Sequence, residues 1–268
     1  MGTDADIATE LQNDPKVALK DFAMKYQGVF IFYVFINSFI VAAVVEEMVK
    51  YFGYWMVVVP DLLPDNRNMS TSISASYNSN EGEDDVVTRS KTLRSAAAGI
   101  RVAMVSVALG FACAENLMYI FVYTPPSLGV EISTLVARSI FPVHPLCAAI
   151  QSIGVCKRDI EGDKNYGIGR IILPAVLLHG SFDFVLMLAA FYESLKASEE
   201  GGEKNEGTDG TSGEVAEEVD MAAELPSLIS GFVFVIIGCI YFVFASRSQN
   251  QRLIAADNAS REQGSLLL

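Results

Sequence analysis

Histidine is nearly absent from this 268-residue chain, which has two, and tryptophan occurs once. Any chemistry that needs imidazole must therefore use His144, His179 or both. Cysteine is scarce as well: Cys113, Cys147, Cys156 and Cys239 lie in or at the ends of apolar stretches with no CxxC spacing. That excludes a zinc ribbon or a disulfide framework and leaves them as small apolar fillers. Basic residues are outnumbered, 19 against 32 acidic, for a formal charge of -13, which argues against nucleic-acid binding. Most of the excess is local, since residues 193–224 hold eleven acids against Lys196 and Lys204. No internal repeat is visible, and with it goes the inverted-repeat signature of many transporters. The first residues lack the basic and apolar regions of a signal peptide, and Asp6 stands where a myristoylation site needs Ser or Thr.

What the chain does have is apolar length. Hydrophobic residues make up 51% of it. Several runs are long enough to cross about 30 Å of hydrocarbon. The reading is an all-α, multi-pass transmembrane helical bundle of about five spans with polar loops. A surface segment over 1–25 begins with Asp14-Pro15 as cap and first turn, and presents Val17, Ala18, Phe22 and Tyr26 at helical spacing. The core covers 26–192, with a polar loop at 61–95; an acidic disordered loop follows at 193–225, then a last span at 226–246 and a polar tail at 247–268. Spans are expected over Tyr26–Val59, Ala96–Val122, Ile132–Val155, Gly167–Tyr192 and Pro226–Ala245. The first is too long for one upright span and too short for two, which leaves open whether Glu46 and Glu47 sit at mid-membrane or near a surface. The last carries no ionisable group and reads as a wall. If each run crosses once, ten basic residues flank the side of the C-terminus and five the other, which predicts a cytoplasmic C-terminus.

Ionisable side chains inside apolar runs are costly and usually face a wet cavity. Here they are Glu46, Glu47, Lys50, Glu115, Arg138, His144, His179 and Asp183. Glu46 and Lys50 are four apart, an orientation that favours an ion pair. His179 and Asp183 are also four apart, so Asp183 can set the tautomer of a histidine that donates to an oxyanion. Pro142 and Pro145 break the helix around His144 and let its ring project into the same cavity. Glutamates sharing protons in a buried site are suited to activating water for amide hydrolysis, and Glu115 would complete the water site. Arg138 reads as an interfacial anchor.

The same residues fall into ordered motifs. Glu46-Glu47-Met48-Val49-Lys50 is EExxK, Phe111 to Glu115 is FxxxE, His144 to Ala148 is HxxxA, and His179 to Asp183 is HxxxD. In this order, each inside an apolar helix, they resemble the PrsW family of intramembrane proteases, which is similar to the wider group of CAAX prenyl endopeptidases and bacteriocin-processing enzymes. The resemblance covers about Ile36 to Tyr192. It implies an intramembrane endopeptidase acting on a membrane-anchored protein substrate within the lipid bilayer, with no nucleic acid involved. The catalytic set would be Glu46, Glu47, Glu115, His144, His179 and Asp183, supported by Lys50 and Phe111.

The paired glutamates leave the base open between Glu46 and Glu47. The likeness to glutamate-dependent CAAX enzymes implies Glu46, and a reaction without a cofactor. Zinc is the alternative, with His144, His179, Asp183 and Glu115 as ligand types. Two other functions compete, a prenyl-protein (CAAX-type) endopeptidase and a non-enzymatic proton- or cation-coupled transporter. FxxxE rather than FxxxH counts against the first, and the missing repeat against the second.

Overall fold

The computed structural model describes residues 24–57, 83–123, 128–202 and 221–265. The expected surface helix, most of the 61–95 loop and the centre of the acidic loop lie outside the described residues. Among the described residues there is no strand; the chain is helical throughout. Helix α1 is Gln27–Ile36, and a π-helical segment, Asn37–Val44, joins it to α2, Val45–Val57. Helix α3 is Glu83–Met118, with a second π-helical segment at Tyr119–Tyr123. Helices α4, Leu128–Ile140, and α5, Val143–Asp159, are separated by Phe141-Pro142. Helices α6, Ile168–Gly202, and α7, Met221–Ser265, complete the chain.

Five stretches are long and apolar enough to cross a membrane: Gln27–Val57, Leu93–Val122, Arg138–Asp159, Ile168–Tyr192 and Ile229–Ala256. Their outward apolar side chains fit a hydrocarbon surrounding rather than water; Met56 is 81% exposed and Phe121 78%. The first is a single helical run of 31 residues. At about 1.5 Å per residue it is longer than the hydrocarbon is thick.

Several helices outrun the expected boundaries. The stretch 83–95, expected as loop, belongs to α3. Helix α6 continues through 193–202, whose Leu, Lys, Ala and Glu residues are good helix formers. Residues 247–265, expected as a polar tail, continue α7.

The described chain divides into two compact units. One comprises Val44–His179 with Val235–Leu268, the other the segment up to Ala43 with Gly180–Phe234. In the second, Phe30 and Val34 of α1 pack on Phe184, Leu188 and Phe191 of α6, and the rings of Phe30 and Phe191 lie 4.2 Å apart. The first unit holds every residue of the site described below except Asp183.

Its core is built from Tyr51 and Tyr54 of α2, Ala97, Ile100, Met104 and Ala108 of α3, Ala148, Val155 and Cys156 of α5, Ile171 of α6 and Leu253 of α7. Small residues let these helices approach closely: a Cβ on Gly154 would stand 3.1 Å from the Ile171 backbone. Cys147 and Cys156 are the buried apolar fillers expected, and their thiols donate to the carbonyls of Ala175 and Ala97. Helix α7 is more than a wall. Its fully buried Gln249 accepts from Arg101 at 2.8 Å and donates to the Ile153 carbonyl and to Glu161. Glu161 also pairs with Arg252 at 2.7 Å. Partial burial raises the Glu161 carboxyl, but the hydrogen bonds from Arg252 and Gln249 outweigh it and hold the group below its ordinary value.

Candidate active site

Four helices bring the motif residues together. Glu46, Glu47 and Lys50 lie on the first turns of α2, directly after the π-helical segment. His144 is the second residue of α5. Pro142 precedes that helix and Pro145 occupies its first turn, where backbone N–H groups have no intrahelical acceptor. The prolines thus end α4 and restart the helix with His144 at its mouth. His179 comes from α6, and Glu115 from the last turn of α3.

Lys50 and Glu47 are fully buried. The Lys50 ammonium donates to Glu47 Oε1 at 2.6 Å, whereas Glu46 Oε2 is 3.7 Å away. The expected Glu46–Lys50 partnership is therefore the longer of two. Both glutamates lie on the face that Lys50 can reach, and packing gives the closer contact to the i,i+3 pair. Glu47 is otherwise saturated. His179 Nδ1 lies 2.8 Å from its Oε1, and the Gln151 amide donates to its Oε2 at 2.6 Å. Gln151 was not singled out in the sequence, although it sits seven residues after His144, two turns on along the same face of α5.

Each histidine has a carboxylate at its back. Glu47 stands at Nδ1 of His179, and Glu115 Oε2 lies 2.8 Å from Nε2 of His144. A carboxylate accepts, so the ring nitrogen facing it carries the proton and the opposite nitrogen keeps its lone pair. Those opposite atoms, His144 Nδ1 and His179 Nε2, each lie 3.7 Å from Glu46 Oε2. That oxygen is buried and has no hydrogen bond, and Glu115 Oε2, although 2.8 Å from His144 Nε2, is likewise buried without an aligned one. The two rings meet edge to face at 5.1 Å. Phe111 of FxxxE packs on His144 at 5.6 Å and under the Lys50 ammonium at 4.9 Å.

Asp183 lies one turn beyond His179 on α6, in the other unit. The carboxylate at Nδ1 of His179, a position the i,i+4 spacing suggested for Asp183, is Glu47. Arg138 does not act as a surface anchor alone, since its guanidinium is 2.7 Å from Glu115 Oε1. Beside Glu115, a cavity of about 430 Å³ is lined by Phe111, Ala114, Glu115, Met118 and Tyr119.

The set Glu46, His144 and His179 offers one ligand atom each, all within 4.8 Å of one another. Four-coordinate zinc with ligand bonds of about 2.0–2.2 Å sets its ligand atoms roughly 3.4 Å apart. The donor types fit such an ion: two imidazole lone pairs, each ring backed by a carboxylate, and a buried carboxylate oxygen without a hydrogen bond, with the Lys50 ammonium standing 2.8 Å from the lone pair of His144 Nδ1 in the metal-free site.

Comparison with known proteins bears on the same residues. No solved structure matches the chain. Protease PrsW of Clostridioides difficile (strain 630) is 36% identical over 88 residues, which make up 31% of this chain and 36% of that protein. The chain thus aligns with about a third of the length of this curated relative. The family described as PrsW family intramembrane metalloprotease matches residues 16–197, which include all four motifs. The chain belongs to the PrsW family of intramembrane metalloproteases.

Proposed function

We propose that the chain is an intramembrane endopeptidase that hydrolyses a peptide bond, in or beside the bilayer, in a membrane-anchored protein, and that it does so with a divalent metal held by Glu46, His144 and His179. The observation that carries the reading is the convergence of two histidine lone pairs on the buried, unbonded oxygen of Glu46. An integral membrane protein gains nothing for stability from such a cluster, because ionisable groups at that depth are expensive. The metal-free alternative implied by the CAAX likeness uses the same Glu46. The donor set favours the metal, with Glu46 taking the place in the ligand set that the sequence offered to Asp183 and Glu115.

A bound metal would polarise the scissile carbonyl and lower the pKa of a water. The chain's own groups do the rest. Glu46 is the base we assign: its second oxygen takes the proton of the attacking water and delivers it to the leaving amine. Glu47 and Glu115 hold the two imidazoles by their N–H groups and keep both lone pairs directed inward. With its proton spent on Glu47, His179 acts through Nε2 as a ligand rather than as an oxyanion donor. Lys50 offsets the negative charge of Glu46 and Glu47; it lies 2.8 Å from His144 Nδ1 and would have to release that atom for it to hold a metal. The cavity beside Glu115 would receive an apolar side chain of the substrate.

The test is a comparison of membrane proteomes from cells carrying the wild type and Glu46→Gln. Fragments with new ends within or beside an apolar span should appear with the wild type alone. Identical fragment sets would overturn the protease reading. For orientation, we propose a cytoplasmic C-terminus on the ten-to-five basic asymmetry. A C-terminal tag should then be digested by protease added to the cytoplasmic face of sealed vesicles. Glycosylation at Asn258, whose side chain is exposed, would show the opposite orientation.

A further inference from the structure

Arg138 belongs to none of the four motifs, yet it meets three side chains at the end of α3 and the start of the following π-helical segment. Its Nη2 is 2.7 Å from Glu115 Oε1, its Nε donates to Asn116 Oδ1 at 3.0 Å, and its guanidinium carbon stands 3.6 Å over the ring of Tyr119. These partners are residues i, i+1 and i+4 of one helical stretch, so a single arginine reaching over from α4 clamps that end. A glutamate on its own turns about three side-chain bonds, whereas a planar guanidinium fixed at three points allows its carboxylate partner little movement. The remaining oxygen, Glu115 Oε2, faces His144 Nε2 at 2.8 Å. On the opposite edge of the ring, Lys50 Nζ is 2.8 Å from Nδ1. An acceptor on one side and an ammonium donor on the other place the proton of the neutral ring on Nε2.

We infer that Arg138 is a positioning residue: it fixes Glu115 so that the carboxylate holds His144 as the Nε2–H tautomer and leaves Nδ1 directed at Glu46. The inference rests on the reading of the site given above only for what Nδ1 then does. Without Arg138, Glu115 rotates and the ring loses its fixed acceptor, so that the Lys50 ammonium at Nδ1 is the one remaining constraint and the Nδ1–H tautomer gains population whenever that contact opens. The lone pair then faces the site for only part of the time, and a ligand there is weakened from outside its own coordination set. Outer partners of this kind change metal affinity by about 10–100-fold.

The scarcity of histidine makes the test direct, because the chain has two imidazoles. Metal-free protein with ¹⁵N-labelled histidine, in detergent or nanodiscs, should give two sets of ring signals, assigned with a His144→Asn variant. The wild type should show His144 as the Nε2–H tautomer. Arg138→Ala should show averaged tautomers for His144 and an unchanged His179, which a general loosening of the fold would not produce. Arg138→Lys keeps the charge without the planar fork and should fall between the two; it also serves should the alanine variant not fold. Zinc titration should show about 10–100-fold weaker binding in Arg138→Ala. Wild-type tautomer and wild-type affinity in both variants would overturn the inference alone. Failure of the wild type to bind zinc would overturn the metal reading, while the tautomer signals would still decide the role of Arg138.

Discussion

Purified wild-type protein is expected to lose its peptidase activity on dialysis against a strong zinc chelator and to regain it with one equivalent of zinc. The His179→Ala variant is expected to stay inactive throughout, with activity lower by roughly a thousandfold or more. His179 supplies one of three converging donors, is almost fully buried, and has its ring locked by Glu47 at Nδ1. Alanine there removes a ligand atom and also leaves a Glu47 oxygen with one partner fewer. Metal content, measured by mass spectrometry after gel filtration, should be near one zinc per chain in the wild type and near none in the variant. Full activity of the wild type in chelator would reject the metal. The glutamate-dependent reading drawn from the CAAX likeness would then stand, with Glu46 acting on water unaided.

The second large effect is on stability. Glu47→Ala should cost about 3–5 kcal/mol, the usual consequence of removing one partner of a buried ion pair. Glu47 accepts from Lys50, His179 and Gln151 within 2.8 Å, and Lys50 is 1% exposed. The variant strands an ammonium and two N–H donors in the core. Replacing both charges, as in Glu47→Leu with Lys50→Met, should recover most of the stability, since apolar pairs of similar volume replace buried ion pairs at little cost. It should recover none of the activity. Unfolding followed by thermal or denaturant titration in detergent measures both. A loss below about 1 kcal/mol for Glu47→Ala would show that water or rearranged side chains already satisfy Lys50.

The site was legible in the sequence to the extent that it is expensive. Hydrocarbon penalises every ionisable group, so Glu46, Glu47, Lys50, Glu115, His144 and His179 stand out against apolar neighbours without any structure. The break at Pro142 and Pro145 was readable for the same local reason, a missing backbone donor. Partners were not readable. Spacing allowed Lys50 to reach either glutamate, and the packing of α2 against α5, with Gln151 bonded to Glu47, decided between them. Gln151 is not legible because a neutral amide is ordinary by itself, and Arg138, visible as an ionisable residue, reads from sequence only as an interfacial anchor. Their significance lies in what other helices bring to them.

The helices extend through 83–95, 193–202 and 247–265, where polar composition alone predicts loop. Polarity says which surroundings a residue tolerates, while helix formation follows from backbone hydrogen bonds and propensity, which charged residues satisfy well. By itself, then, the amino-acid sequence determined the helical class, the apolar runs, the four motifs and the family. Those depend on composition and on spacing within one helix. Only the tertiary structure decided which carboxylate backs which histidine, which lone pairs meet at Glu46, and that Gln249 ties α7 to Arg101 and Glu161. These are relations between helices distant in sequence. They are set by which small residues let two helices come close, and no periodicity along one helix records them.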